Sequence, residues 1–325
     1  MSLALPVQPA HELDARADTP RWLIEGLWAD EAVGIVGGEP KSCKSFLVLD
    51  MAVAVASGSP CLRHFPVAHT GRVLLYAAED ALQVVRRRLE GICHLNHLDL
   101  AQLDIQVITA PSLRLDTRED QNRLRETIVQ LRPRLLLLDP FIRLHRIDEN
   151  ASSDVAAILA ELRQLQRLFH LAVVVVHHAR KAANHLRAGQ ALRGSSEFHA
   201  WGDSNLYLKR KADKLTLTIE HRAAAGHDDL PLTLQGADDQ LALCMLKNPP
   251  PTKPPHSPAH EQILDALVNA ESPLVFSELQ KACRMRTETF CKLLAEMQQQ
   301  GKVIKTPNGY QLLSKLAGAS ASRSL

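Results

Sequence analysis

The chain lacks any uncharged apolar run long enough to span a bilayer, and its first twenty residues lack the charged-then-apolar layout of a secretory signal. A cytoplasmic protein with no membrane partner is expected. It also lacks C-x-x-C and every Cys/His spacing of the zinc-binding kind. The six cysteines, Cys43, Cys61, Cys93, Cys244, Cys283 and Cys291, are scattered, which argues against a zinc site or a disulfide framework and for reduced, mostly buried thiols. Net charge is scarce too: a formal +2 over 325 residues does not mark a nucleic-acid binder by bulk attraction, so such a role must rest on local patches. Apolar material is plentiful. At 46% it supports a core of roughly 200–250 residues plus a small module.

The most informative stretch reads Gly37-Gly38-Glu39-Pro40-Lys41-Ser42-Cys43-Lys44-Ser45, between an apolar run at 32–36 and a helical pattern at 46–57. A strand–loop–helix unit of this kind surrounds a phosphate with backbone N–H groups and a helix N-terminus. Gly38, Glu39, Pro40, Lys41, Ser42 and Cys43 would form the cradle, Lys44 would reach the β- and γ-phosphates, and the Ser45 hydroxyl would ligate Mg²⁺. Against the pattern G-x-x-x-x-G-K-[ST], Gly38 fills the first glycine and Cys43 replaces the second. On the motif alone, a lysine-bearing strand-to-helix turn is the bland alternative.

Residues 1–20 are polar and aperiodic and read as an arm. Continuous apolar runs at 72–78, 135–138 and 172–176, with a short one at 105–108, alternate with helical patterns at 81–92, 118–130 and 154–169. Strands apolar throughout and separated by helices predict an α/β core, a mostly parallel sheet covered by helices on both faces. Segments 205–209 and 215–220 then alternate as a hairpin, with a further strand near 230–234, so the sheet edge is expected to turn antiparallel. Residues 248–258 hold six prolines in eleven positions, which excludes helix and sheet and predicts a linker. This divides the chain into a core domain at 21–247 and a second domain at 259–313, followed by a tail at 314–325.

The second domain shows helical patterns at 259–270, 277–282 and 287–300, then two strands flanking Asn308-Gly309 as a two-residue turn. Three helices and a hairpin predict a winged helix with 287–300 as recognition helix. Ile263, Leu264, Leu267, Leu279, Phe290, Leu293, Leu294 and Met297 are the expected core.

In open α/β sheets ligands bind at the carboxyl ends of strands, and four features fall there: the loop, Glu79-Asp80, Asp139 and His177-His178. Asp139 suits a Mg²⁺-ordering carboxylate, or a helix cap. Glu79, ending what is expected to be the strand nearest the loop, suits the general base; Asp80 is its rival and the better helix N-cap. Adjacent strand residues point to opposite faces, so both histidines cannot readily hold one metal ion; one suits a γ-phosphate sensor, the other a boundary position. A thiol at the N-terminus of the following helix would have a depressed pKa, making Cys43 a possible oxidation-sensitive brake. Residues 179–198, with Arg180, Lys181, Arg187 and Arg193, suit a nucleic-acid-gripping loop.

With these pieces the chain resembles the RecA-type ATPases of the RepA-like hexameric replicative helicase family over roughly residues 20–235. The likeness rests on Gly38–Ser45, Leu-Leu-Tyr-Ala-Ala-Glu-Asp (74–80), Leu-Leu-Asp (137–139), His177-His178-Ala-Arg-Lys181 and Arg193-Gly-Ser-Ser196. It implies a RecA-like P-loop fold, ATP and Mg²⁺, a hexameric ring on single-stranded or duplex DNA, and a plasmid or mobile-element setting. By resemblance, Lys44 and Ser45 become nucleotide and Mg²⁺ ligands, Glu79 the catalytic base, Asp139 the second Mg²⁺ ligand and His178 the sensor. The finger arginine is not found shortly after Arg-Gly-Ser-Ser, which leaves Arg222, flanked only by Glu220 among nearby acids. A DNA-bound, ATP-switched regulator that does not translocate is the other class the sequence supports.

Overall fold

The computed structural model describes residues 7–12, 22–149, 151–178, 195–212, 214–237, 240–246, 258–270, 272–283, 285 and 287–313. Its contacts divide the chain into two compact units, Met1–Lys247 and Asn248–Leu325.

In the first unit, β1 (Trp22–Ile24) and β2 (Trp28–Ala29) form a small antiparallel pair. Then follow β3 (Val33–Gly38), α1 (Lys44–Ser57), β4 (Val73–Ala77), α2 (Leu82–Leu95), β5 (Ile105–Val107), α3 (Arg118–Leu131), β6 (Leu135–Asp139), α4 (Ser152–Phe169) and β7 (Ala172–His178). After α5 (Ser195–Trp201) come β8 (Ser204–Lys211), β9 (Lys214–His221), β10 (His227–Ala237) and β11 (Gln240–Met245). Nine strands make one sheet in the order β11-β10-β9-β8-β3-β7-β6-β4-β5. From β8 to β5 neighbours run parallel, and β8 to β11 pair antiparallel. The antiparallel edge is larger than the sequence suggests: β10 is eleven residues long, and β11 adds a further strand beyond it.

Period-2 geometry sorts the apolar runs between two cores. Leu135, Leu137, Val174 and Val176 pack with α1 and α2. Leu136, Leu138, Val173 and Val175 pack with α3, α4 and Phe198 of α5. Both faces are therefore covered, and each continuous run is an alternation once its two environments are separated.

The helix behind the loop is tied down from its far side. Asp50 of α1, 2% exposed, accepts the Leu62 N–H at 2.6 Å and pairs with Arg63, whose guanidinium also donates to the Leu243 carbonyl of β11 at 2.6 Å. Removing Arg63 would strand a buried carboxylate, a loss of about 3–5 kcal/mol in such pairs. Gly91 lets α2 lie against β11: a Cβ there would sit 3.0 Å from backbone atoms of Gln240 and Leu241.

The second unit has its own core around Ile263, Leu267, Leu279, Phe290, Leu294 and Met297, with Leu264 and Leu293 packed at its margin. Its elements are α6 (Pro258–Asn269), α7 (Phe276–Cys283), α8 (Thr287–Gln299), β12 (Val303–Thr306) and β13 (Gly309–Leu312). Pro258, read as linker, opens α6, where a missing N–H costs nothing. The hairpin turn is Pro307-Asn308 rather than Asn308-Gly309, because Gly309 pairs with Thr306. The glycine serves another need. Its φ is 133°, and a Cβ would lie 2.5 Å from the Leu274 carbonyl, where Leu274 forms a single antiparallel bridge to Tyr310.

Among the described residues, no helix is long and apolar enough to cross a membrane. All six cysteines are free, and four are buried.

Candidate active site

The loop between β3 and α1 is held open by its backbone. Gly38 has φ 154°, and a Cβ there would meet the Leu208 carbonyl at 2.4 Å and Ser42 Oγ at 2.7 Å. Cys43 caps α1 in the left-handed region at φ 68°, the conformation that explains why glycine is expected there. Lys41 shares that region at φ 65°. Ser42 is fully buried, and among the described residues its hydroxyl has no hydrogen-bond partner.

Lys44, 5% exposed, folds over the loop and donates from Nζ to the carbonyls of Gly38 at 3.0 Å and Glu39 at 2.8 Å. Burial lowers its pKa from 10.5 to about 8, against the opposing pull of Asp139 and Glu79. The Ser45 hydroxyl bonds the Asp139 carboxylate, which burial pushes up to about 6; Asp80 and Glu79 add to the rise, while Ser45 and Lys44 oppose it.

These groups line one cavity of about 430 Å³ with Glu79, Asp80, Arg88, His178, Arg210 and Leu234. Strand order explains the meeting, since β3, β7, β6 and β4 are successive neighbours and present the loop, His178, Asp139 and Glu79 at their carboxyl ends. One expectation is corrected: Glu79 does not end the strand nearest the loop, because β7 and β6 lie between β4 and β3. Glu79 still reaches the cavity, held by Arg143 Nε at 3.2 Å and lying 3.9 Å from His178 Nε2. Asp80 is not the N-cap of α2; Ala81 holds that position, and Asp80 is bonded to Arg88 at 2.5 Å.

The two histidines separate as adjacent strand residues must. His177, 1% exposed, stacks on Phe198 at 4.1 Å, whereas His178 lines the cavity. Among the described residues, no group of three or more His, Cys, Asp or Glu side chains could hold a metal ion by itself. Mg²⁺ typically takes one or two protein ligands and completes its shell with phosphate oxygens and water. Ser45 and Asp139 fit that role, since the Ser45 hydroxyl bonds the Asp139 carboxylate and both line the cavity beside the loop.

Two expectations fail on chemistry. The Cys43 thiol is not activated: burial raises its pKa, outweighing Arg210, Lys44 and Arg88. Arg222 is not free of acids other than Glu220, because its Nη1 lies 3.4 Å from Asp203 Oδ1. Nor does it line this cavity. It follows the Ser204–His221 pair at the amino end of the parallel strands, opposite the loop. Residues 179–194, with the basic positions read as a nucleic-acid grip, lie outside the described residues. Arg88, Arg143, Arg210 and Leu234 were missed, and only Arg143, four residues after Asp139, had a signal in sequence proximity.

A family model described as an AAA domain matches residues 2–184, more than half of the chain. The chain belongs to this AAA-domain family. Among solved structures, it is similar to a DnaB-like replicative helicase described with its interactions with primase, at 12% identity and a TM-score of 0.53. The match covers 67% of this chain and 58% of that one, so the AAA-domain chain spans little more than half that helicase's length. At that identity the likeness is one of fold, and it establishes the core as a RecA-type α/β P-loop architecture.

Proposed function

We propose that this AAA-domain protein is an ATP-hydrolysing, ring-forming motor on DNA, of the RepA-like helicase type. The observation that carries the reading is the meeting of Lys44, Ser45, Asp139, Glu79 and His178, from four neighbouring strand ends, in one cavity. Lys44 releases the Gly38 and Glu39 carbonyls and turns its ammonium to the β- and γ-phosphates. Ser45 and Asp139 would hold Mg²⁺, whose charge would offset that of the phosphates. Glu79 takes the proton of a water whose oxygen bonds to the γ-phosphorus as the bond to the β,γ-bridging oxygen breaks, leaving ADP and phosphate. Arg143 and His178 lie against the Glu79 carboxylate, and His178 would sense the γ-phosphate.

In the ring, expected to be a hexamer, Arg222 would act on the neighbour's nucleotide, which accords with its distance from the chain's own loop. The unit at 259–313 would be a winged helix that meets duplex DNA or a protein partner through α8. The test is ATP turnover with and without single-stranded DNA, followed by strand displacement. Turnover stimulated by DNA, with unwinding, supports the motor. Stimulated turnover without unwinding would replace it with an ATP-switched DNA-binding regulator, and no turnover at all would sink both.

A further inference from the structure

The two walls of the cavity differ in chemistry. Glu79, Asp139 and His178 stand on the side of β7, β6 and β4, whereas Arg210 of β8 and Leu234 of β10 stand on the other, with the loop between them. A triphosphate whose γ end lies by Glu79 and Asp139, as hydrolysis requires, must direct its nucleoside end away from them. That path crosses Cys43 and reaches Arg210, whose Nη2 lies 3.7 Å from Cys43 Sγ.

Arg88 also lines the cavity, but its guanidinium is committed: it is bonded to Asp80 at 2.5 Å and lies over the Phe46 ring at 5.1 Å. Arg210 is exposed and, among the described residues, forms no ion pair. A planar, weakly hydrated guanidinium stacks well on a heteroaromatic ring, which an ammonium does not reproduce. Leu234 adds an apolar surface beside it.

We propose that Arg210, with Leu234, forms the nucleoside end of the site, where the Arg210 guanidinium stacks on the base of a nucleotide bound in the same subunit. This rests on the nucleotide reading above and adds the recognition of the base to it. The contact is made alike in ground and transition states, so it governs binding rather than chemistry.

The test compares Mg²⁺-ATP with Mg²⁺-tripolyphosphate, which has the phosphates and no nucleoside. Calorimetric titration of wild type, Arg210→Ala and Arg210→Lys should show the ATP Kd rising about ten-fold in both variants, while tripolyphosphate binding stays as in wild type. The KM for ATP should rise with kcat nearly unchanged. Equal losses for both ligands, or rescue by Arg210→Lys, would make Arg210 a phosphate contact and overturn the assignment, as would an unchanged ATP Kd. Wild-type protein that binds neither ligand would overturn the nucleotide reading and this inference with it.

Discussion

Arg143 and Glu79 meet at the rim of the cavity, Nε to Oε1 at 3.2 Å, although 64 residues separate them. The contact brings a side chain from just beyond β6 onto the carboxylate that follows β4. Both are substantially exposed, at 61% and 44%, so the pair contributes little to stability. Its consequence is orientation. Glu79→Gln should retain ATP binding and lose turnover by about 10²–10⁴-fold, whereas Lys44→Ala should lose binding itself. Arg143→Gln should lower kcat less than Glu79→Gln and leave Tm unchanged. Filter binding and steady-state turnover separate the three, and a Glu79→Gln protein with wild-type kcat would remove Glu79 as base.

The pH dependence of kcat/KM should have two limbs set by the free protein. Below about 6 Asp139 takes up a proton and would no longer serve as the proposed Mg²⁺ ligand; above about 8 Lys44 loses its ammonium. The same shift affects stability. The folded pKa of Asp139 lies above its ordinary 3.8, so the folded state binds more protons between about 4 and 6, and stability falls as pH rises through that window. Asp139→Asn should therefore raise the Tm of nucleotide-free protein at pH 7 but not at pH 4, as measured by calorimetry. An equal effect at both would detach the strain from ionisation.

Cys43→Gly should stabilise the protein by about 1 kcal/mol, because the left-handed backbone at φ 68° is strained for any side chain. ATP affinity should be unchanged or better. With its thiol pKa raised by burial, Cys43 should not be an oxidation switch, so wild-type and Cys43→Ser turnover should respond alike to peroxide. Selective protection by Cys43→Ser would contradict this.

Arg222, paired with Asp203 at the amino end of the parallel strands, does not line the cavity of its own chain, so the role proposed for it is one in trans. Arg222→Ala and Lys44→Ala subunits, each inactive alone, should regain partial turnover when mixed, since some interfaces would join an intact loop to an intact arginine. Mixtures that co-assemble, as shown by native mass spectrometry, yet stay inactive would count against action in trans.

Deleting residues 249–325 should leave ATP turnover and single-strand binding largely intact and abolish duplex or partner recognition, because that unit has a core of its own. Thermal unfolding and turnover of the truncated protein check this. Loss of folding in the remaining unit would refute the division.

Much of the site was legible in the sequence for a local reason. A phosphate loop is a short contiguous pattern, and a buried parallel strand announces itself as an apolar run whose first polar residue marks its carboxyl end. Glu79, Asp139 and the His177-His178 pair are placed at strand ends that way, without knowledge of strand order, whereas the choice of His178 comes only from the resemblance. Parity within β7 also required His177 and His178 to face opposite ways. Which of them would face the loop depended on which sheet face α1 covers, and that is a matter of packing.

Tertiary structure alone decided the rest. Two intervening strands separate Glu79 from the loop, Asp80 is bonded to Arg88 instead of capping α2, and Arg222 lies beside Asp203 at the far end of the sheet. Arg210 enters the cavity because β8 pairs with β3 in a register that sets Leu208 opposite Gly38. Such pairings join residues from 8 to 170 positions apart. The chain carries no local signal for them, because their energy lies in long-range burial and hydrogen bonding that exist only once the sheet has formed.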